Sequence, residues 1–274
     1  MVSFIEKLEK PWSDKKFVCV NLDPDFDKLP SVVTHESTVE EAIFRFNKEI
    51  IDATHDLVCA YKPNSAFYEA YGEAGLRALK RTAQYLNTTY DDVATILDAK
   101  RADIGNTNKM YAEAVFDELG FDAITIHPYL GREAVQPFLD RKEKGVIVLV
   151  RTSNKGGGEF QDLNVNGEKL YEHVARNVAE EWNKNGNCGV VVGATHPEEL
   201  THVRNIIDAM PILIPGVGAQ GGSAHEAFSR GKNKNEAGVI ISVGRSVIYA
   251  SRNDDFQDAA RKEVEKLSKE ITTA

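Results

Sequence analysis

The chain has 274 residues, 42% of them hydrophobic, which is enough to bury one large core. Its formal net charge of −9 argues against a nucleic-acid or anionic-membrane surface, because such partners need clustered Lys and Arg; an anionic ligand must therefore be held locally. Three cysteines, Cys19, Cys59 and Cys188, form no CxxC pair and suit reduced core thiols better than a disulfide framework. With no apolar run of about eighteen residues, a soluble cytoplasmic protein is expected.

In chain order, short β-branched runs alternate with polar turns and longer stretches of helical spacing, the pattern of repeated βα units. The runs end at Leu22 (FVCVNL), Lys62 (LVCAYK), Asp98 (VATILD), His127 (DAITIH), Val150 (GVIVLV), Gly193 (CGVVVG), Pro215 (PILIP) and Gly244 (GVIISVG). They are almost continuously apolar, as parallel strands covered on both faces must be. Between the third and fourth, Tyr111, Val115 and Leu119 share a face with Ala112 and Phe116, which predicts a helix from Thr107 to Leu119 with Gly120 as its stop. Eight such units point to an α/β protein, a (β/α)8 TIM barrel, which typically takes about 250 residues. A doubly wound open sheet is the competing architecture, but it usually has fewer strands. No linker or charge block divides the chain, so residues 1–274 are expected to form one catalytic domain. The stretch from Arg151 to Val165, RTSNKGGGEFQDLNV, is long, polar and glycine-rich, as a lid would be. The closing run RKEVEKLSKEITTA reads as an amphipathic helix.

Active sites of such barrels lie at the C-terminal ends of the strands, so the residues there are candidates. They are unusually polar: Asp23, Lys62, Asp98 with Lys100, His127, Thr152 with Ser153, and Arg245. Asp98 and Lys100 are two apart, and on extended backbone both would face the barrel mouth. Asp103 lies three residues further on, where it points across the mouth or toward a neighbouring subunit. Any one such charge is ordinarily a structural ion pair at the rim. Two ammonium groups and two carboxylates at one mouth make an alternating array whose desolvation is costly unless the array is used. His127 has no partner at metal-ligand spacing and reads as a packing residue. No metal site and no cofactor are expected.

PGVGAQGG, Pro215 to Gly222, follows the seventh run, and GRS, Gly244 to Ser246, follows the eighth; these are the loops that commonly hold phosphate in a TIM barrel. Glycine backbone approaches oxygen closely, Gln220 offers an amide donor, and Arg245 offers a two-pronged clamp. Glycines alone would mean no more than tight turns. A Walker-type loop is excluded because no GK[ST] follows.

Taken in order, AYKPNSAFYE, DAKRADIGNT, PGVGAQGG and VGRS spread over most of the chain, and with them it resembles orotidine 5′-phosphate decarboxylases of the longer bacterial-type branch. The resemblance implies decarboxylation of orotidine 5′-monophosphate to uridine 5′-monophosphate in de novo pyrimidine biosynthesis, with no cofactor. It also implies that Lys62, Asp98, Lys100 and Asp103 form the catalytic network, the last aspartate crossing a homodimer interface into a shared site. Asp23 then corresponds to the ribose-binding aspartate, with Asp25 as a nearby rival. Thr107 corresponds to a helix-start threonine reaching the partner's site, and Ser153, or its neighbour Thr152, to the residue that reads the pyrimidine edge. Pro215, Gln220, Gly244 and Arg245 correspond to the phosphate site. Metal-dependent sugar-phosphate lyases and decarboxylases of the same superfamily are the nearest alternative, but they need an acidic ligand where this chain has Lys62, and a cation there would repel Mg²⁺. A nucleotide-binding scaffold without chemistry is the other; the intact charged quartet argues against it.

Overall fold

The structure, a computed structural model, describes residues 2–218 and 221–272. Its elements in chain order are α1 (Phe4–Ser13), β1 (Val18–Val20), α2 (Val39–Thr54), β2 (Ala60–Tyr61), α3 (Gly72–Thr89), β3 (Ala94–Arg101), α4 (Gly105–Ala112), β4 (Ala123–Ile126), α5 (Gly131–Leu139), β5 (Gly145–Arg151), α6 (Gly158–Gln161), α7 (Leu170–Asn177), β6 (Cys188–Val192), α8 (Pro197–Ile207), β7 (Ile212–Pro215), α9 (Ala224–Gly231), β8 (Val239–Val243) and α10 (Phe256–Thr272). The eight barrel strands pair in parallel, each with its sequence neighbour, and β8 closes on β1 through Val18↔Ile241, Cys19↔Ser242 and Val20↔Val243; a short antiparallel hairpin, Asn164–Val165 with Glu168–Lys169, stands outside the barrel. This is a (β/α)8 TIM barrel, and each apolar run contributes one strand. The strands are buried on both faces, which is why the runs carry no polar alternation. Among the described residues no helix is long and apolar enough to cross a membrane.

A helix that strand periodicity does not announce precedes the barrel. Ser3 and Glu6 cap α1 reciprocally, Glu6 N–H donating to Ser3 Oγ (3.3 Å) and Ser3 N–H to Glu6 Oε2 (2.7 Å). Phe4, Leu8 and Trp12 fall on its buried face, each worth about 1.5–3 kcal/mol relative to exposure, which outweighs the cost of Pro11 inside the helix. Trp12 Nε1 donates to the Val239 carbonyl at the start of β8 (2.8 Å), and Lys7 Nζ lies 2.9 Å from Asp122 just before β4. Phe4 packs over Gly145, where a β-carbon would sit 2.2 Å from the ring. All three anchors are strand starts, so α1 covers the N-terminal mouth and leaves the C-terminal mouth open.

Two local expectations change. The helix predicted from Thr107 begins at Gly105, and after Ala112 it widens into a π-type turn over Glu113–Glu118. Thr107 is thus its third residue, not its first. β3 runs past Asp98 to Arg101 and bulges: Leu97 faces Ile124, but Arg101 faces Ile126, so four steps on one strand match two on the other. Lys100 has φ +47, and the extended geometry assumed for Asp98 and Lys100 does not hold there.

Candidate active site

At the C-terminal mouth the strand ends enclose a cavity of about 420 Å³, lined by Asp23, Lys62, Asp98, Lys100, Thr152, Ser153 and Pro215, with Asn21, Thr125 and Leu149 among the other walls. Its organising group is the Asp98 carboxylate. Oδ2 accepts from Lys62 Nζ (3.0 Å) and Asn64 Nδ2 (3.1 Å), and Oδ1 accepts from Lys100 Nζ (2.6 Å) and Thr125 Oγ1 (2.9 Å). Four donors on one carboxylate fix its plane. The bulge in β3 makes this possible, because Thr125 Oγ1 also takes the Lys100 backbone N–H (3.0 Å) and so orients the turn that swings the lysine back over Asp98.

Burial alone would push the Asp98 carboxyl up, but the Lys62 and Lys100 ammonium groups outweigh it and hold Asp98 well below the usual carboxylate range. Burial would likewise lower Lys62, which is only 3% exposed, yet Asp98 and Asp23 keep its pKa above the ordinary lysine value. Asp23 shifts the other way: its burial dominates and raises it, although Lys62 and the Asn64 N–H (2.9 Å) favour the charged form. Lys100 is the exposed member, its side chain 48% accessible, and it presents a charged ammonium to whatever fills the cavity.

Asp25 is turned away; its carboxylate pairs with Lys28, which holds its pKa low, and its N–H donates to the Tyr249 hydroxyl (2.7 Å). Of the two candidates after β1, Asp23 is the one in the cavity wall. After β5, Thr152 Oγ1 is engaged by Asn154 Oδ1 (2.7 Å) and Gln161 Nε2 (2.9 Å), whereas the Ser153 hydroxyl has no partner among the described residues. The backbone of Ser153 is seated against Gly193, where a β-carbon would fall 2.7 Å from its Cα.

Asp103 stands outside this cluster. Its Oδ1 accepts the Ile104 N–H (2.6 Å) and its own N–H donates to Asn108 Oδ1 (2.8 Å), so within one chain it touches neither lysine. Thr107 is exposed on the same segment. His127 lines a separate apolar cavity beneath α6 and α7.

The loops after β7 and β8 adjoin: a β-carbon on Gly218 would lie 3.7 Å from Ser246 Oγ. Gly216 and Gly218 have φ +99 and +70, values that favour glycine over any other residue. Gly244 lies against Asn21 of the cavity wall, where a β-carbon would come 3.1 Å from Asn21 Cβ. Arg245 follows, exposed and without an ion-pair partner among the described residues. Gln220 lies outside the described residues. Asn21, Asn64, Thr125 and Gly193 are site-building residues that strand-end reading missed. The NS of AYKPNS was the one available signal, a polar pair one proline beyond the strand-end lysine.

Three comparisons bear on this arrangement. The model of the orotidine 5′-phosphate decarboxylase / HUMPS family matches residues 17–262. The orotidine 5′-phosphate decarboxylase of Cellvibrio japonicus is 46% identical over 274 residues, covering 100% of this chain and 99% of that protein. That of Flavobacterium johnsoniae is 47% identical over 257 residues, covering 94% and 92%. Among solved structures, Leishmania donovani OMP decarboxylase superposes with a TM-score of 0.84 at 34% identity, covering 100% of both chains. Leishmania donovani UMP synthase superposes with a TM-score of 0.87 at 36% identity; there the chain matches 57% of the longer protein. The chain belongs to the orotidine 5′-phosphate decarboxylase / HUMPS family.

Proposed function

We propose that this barrel, residues 1–274 acting as one catalytic domain, converts orotidine 5′-monophosphate to uridine 5′-monophosphate as a cytoplasmic carboxy-lyase of pyrimidine synthesis. The observation that carries the reading is the Lys62–Asp98–Lys100 array, with Lys62 buried, Asp98 largely so and Lys100 open to the cavity. A fixed anion between two cations is preorganised for a reaction in which negative charge moves from a carboxylate to a neighbouring atom. The bond between the ring carbon and the carboxylate breaks, carbon dioxide leaves, and the electron pair stays on the ring carbon beside the Lys100 ammonium. Lys100 transfers its proton to that carbon, and solvent returns one to the amine. Asp98, facing the departing carboxylate, adds like-charge repulsion in the ground state; we rank this below the cationic stabilisation.

For the substrate ends, Asp23 takes the ribose, Ser153 the pyrimidine edge, and Pro215, Gln220, Gly244 and Arg245 the phosphate. Remote phosphate binding then supplies energy that is used at the reacting carbon. Asp103 and Thr107 complete the site of a second copy in a homodimer. Supporting this, Ile104 and Met110 on the same segment are 63% and 55% exposed, apolar side chains that favour a partner.

Loss of orotidine 5′-monophosphate absorbance on adding the protein tests the activity, run with and without EDTA. Turnover unaffected by chelation is expected. Turnover that requires Mg²⁺ would favour the sugar-phosphate enzymes of the same superfamily. Mixing two inactive variants, K100A and D103N, should restore part of the activity if the site is shared, since a hybrid dimer regains one intact site.

A further inference from the structure

The segment after β5 reads as a lid because it is long, polar and glycine-rich, yet two of its three consecutive glycines are not there for flexibility. Gly157 and Gly158 have ordinary right-handed backbone, with φ −56 and −64. What these two lack is room. A β-carbon on Gly157 would sit 2.8 Å from both Arg151 Nη1 and Thr152 Oγ1, and one on Gly158 would sit 2.4 Å from Asp162 Oδ2. The chain is packed directly onto an arginine.

Arg151 ends β5 and is 4% exposed. Its Nη1 donates to the Thr152 carbonyl (3.2 Å) and Gln161 Oε1 (3.3 Å), and its Nη2 lies 3.1 Å from Asp162 Oδ2. Gln161 then grips Thr152 twice more, accepting its N–H (2.9 Å) and donating to its hydroxyl (2.9 Å). The far end of the segment, Gln161–Asp162, is therefore folded back onto its near end, Thr152. Arg151 Nε is buried with no partner among the described residues, and Asp162 is the guanidinium's one carboxylate partner among them. A buried charge that loses its counter-ion is costly, which makes the clasp close to all-or-none. The residue it steadies is adjacent to Ser153, whose other side rests on Gly193 and whose carbonyl accepts from Thr195 Oγ1 (3.3 Å).

We propose that Arg151 is a positioning residue for the decarboxylation: its guanidinium clasps Gln161 and Asp162 onto Thr152, and so fixes where the Ser153 hydroxyl meets the base. This rests on the functional reading above. Arg151 touches no substrate; it couples the ordering of residues 154–162 to the placement of Ser153.

The test is a cycle of R151M and S153A, alone and combined, with kcat and KM for orotidine 5′-monophosphate and the Kd for uridine 5′-monophosphate. A displacement of about 1 Å at a substrate-positioning group costs about 100-fold, so R151M should lower kcat/KM by about that factor. In the S153A background the same change should cost no more than about threefold, since the group it positions is gone. An equal factor in both backgrounds, or less than threefold for R151M alone, overturns the proposal. Should R151M not fold, D162N is the second variant; it keeps the arginine, and its effect should likewise vanish in S153A, equal effects again overturning the idea. A wild-type chain with no decarboxylase activity would sink the functional reading itself, which additive variants of an active enzyme would not.

Discussion

Replacing Asp98 by Asn removes one charge and leaves the shape nearly unchanged, so its consequence follows from what remains. Lys62, 3% exposed, loses the carboxylate 3.0 Å away that outweighs its burial, and keeps only the nearby Asp23. Breaking a buried pair by removing one partner costs about 3–5 kcal/mol, and Asp23 places this case toward the lower end. At roughly 2 °C per kcal/mol for a chain of this size, D98N should melt about 6 °C lower near neutral pH.

The pH dependence gives the sharper check. In the wild type, Asp98 is depressed and Lys62 raised, so the pair's contribution is fully present above the ordinary aspartate value of about 3.9 and is lost as pH falls below it; at the alkaline end it persists beyond the ordinary lysine value of about 10.4. In D98N, burial is left to dominate Lys62 and its folded pKa drops. Between that value and about 10.4 the unfolded chain then binds more protons than the folded one, so D98N gains stability as pH rises. The deficit measured by denaturant unfolding should shrink between about pH 7 and about pH 10, and K62M/D98N should show no such slope. A deficit that stays constant over this range would refute the assignment of Asp98 as the group that keeps Lys62 charged.

Other substitutions separate chemistry, binding and stability. K100A should abolish turnover while leaving measurable affinity for uridine 5′-monophosphate, because Lys100 supplies the proton and the charge but not the phosphate or ribose contacts; near-wild-type turnover would remove it from the mechanism. R245A should weaken nucleotide binding by about 2–3 kcal/mol, the worth of a charge-assisted hydrogen bond pair, read by titration calorimetry. Unchanged affinity would misplace the phosphate grip. Arg204, which is not among the cavity walls, is buried and donates to the carbonyls of Gly231 (2.6 Å), Met210 (2.7 Å), Gly238 (2.8 Å) and Asp208, and burial pushes its pKa down to about 10. R204M should destabilise by roughly 3 kcal/mol through unsatisfied carbonyls, with kcat and KM unchanged in the surviving fold.

Much of the barrel was legible because parallel strands sealed on both faces must be apolar throughout, and eight such runs at βα spacing leave few architectures. Lys62, Asp98 and Lys100 were legible for a related reason: a charge at the end of an apolar run is conspicuous. α1 was not, since its burial comes from packing over the barrel's N-terminal mouth and its ten residues hold only three core side chains. Asp25 and Asp23, or Thr152 and Ser153, could not be told apart either, because positions one or two residues apart in a turn differ only in which way the turn points them.

What the order of residues decided by itself was periodicity and placement: strand, turn and helix in eightfold succession, and charged groups at the strand ends. What only the tertiary structure decided was the geometry of contact. The bulge that bends Lys100 back over Asp98, and the Asn64 and Thr125 donors that complete the carboxylate's shell, arise where segments distant in sequence meet. A one-dimensional pattern encodes which groups are buried; the distances at which they meet depend on how closed strands stagger against one another.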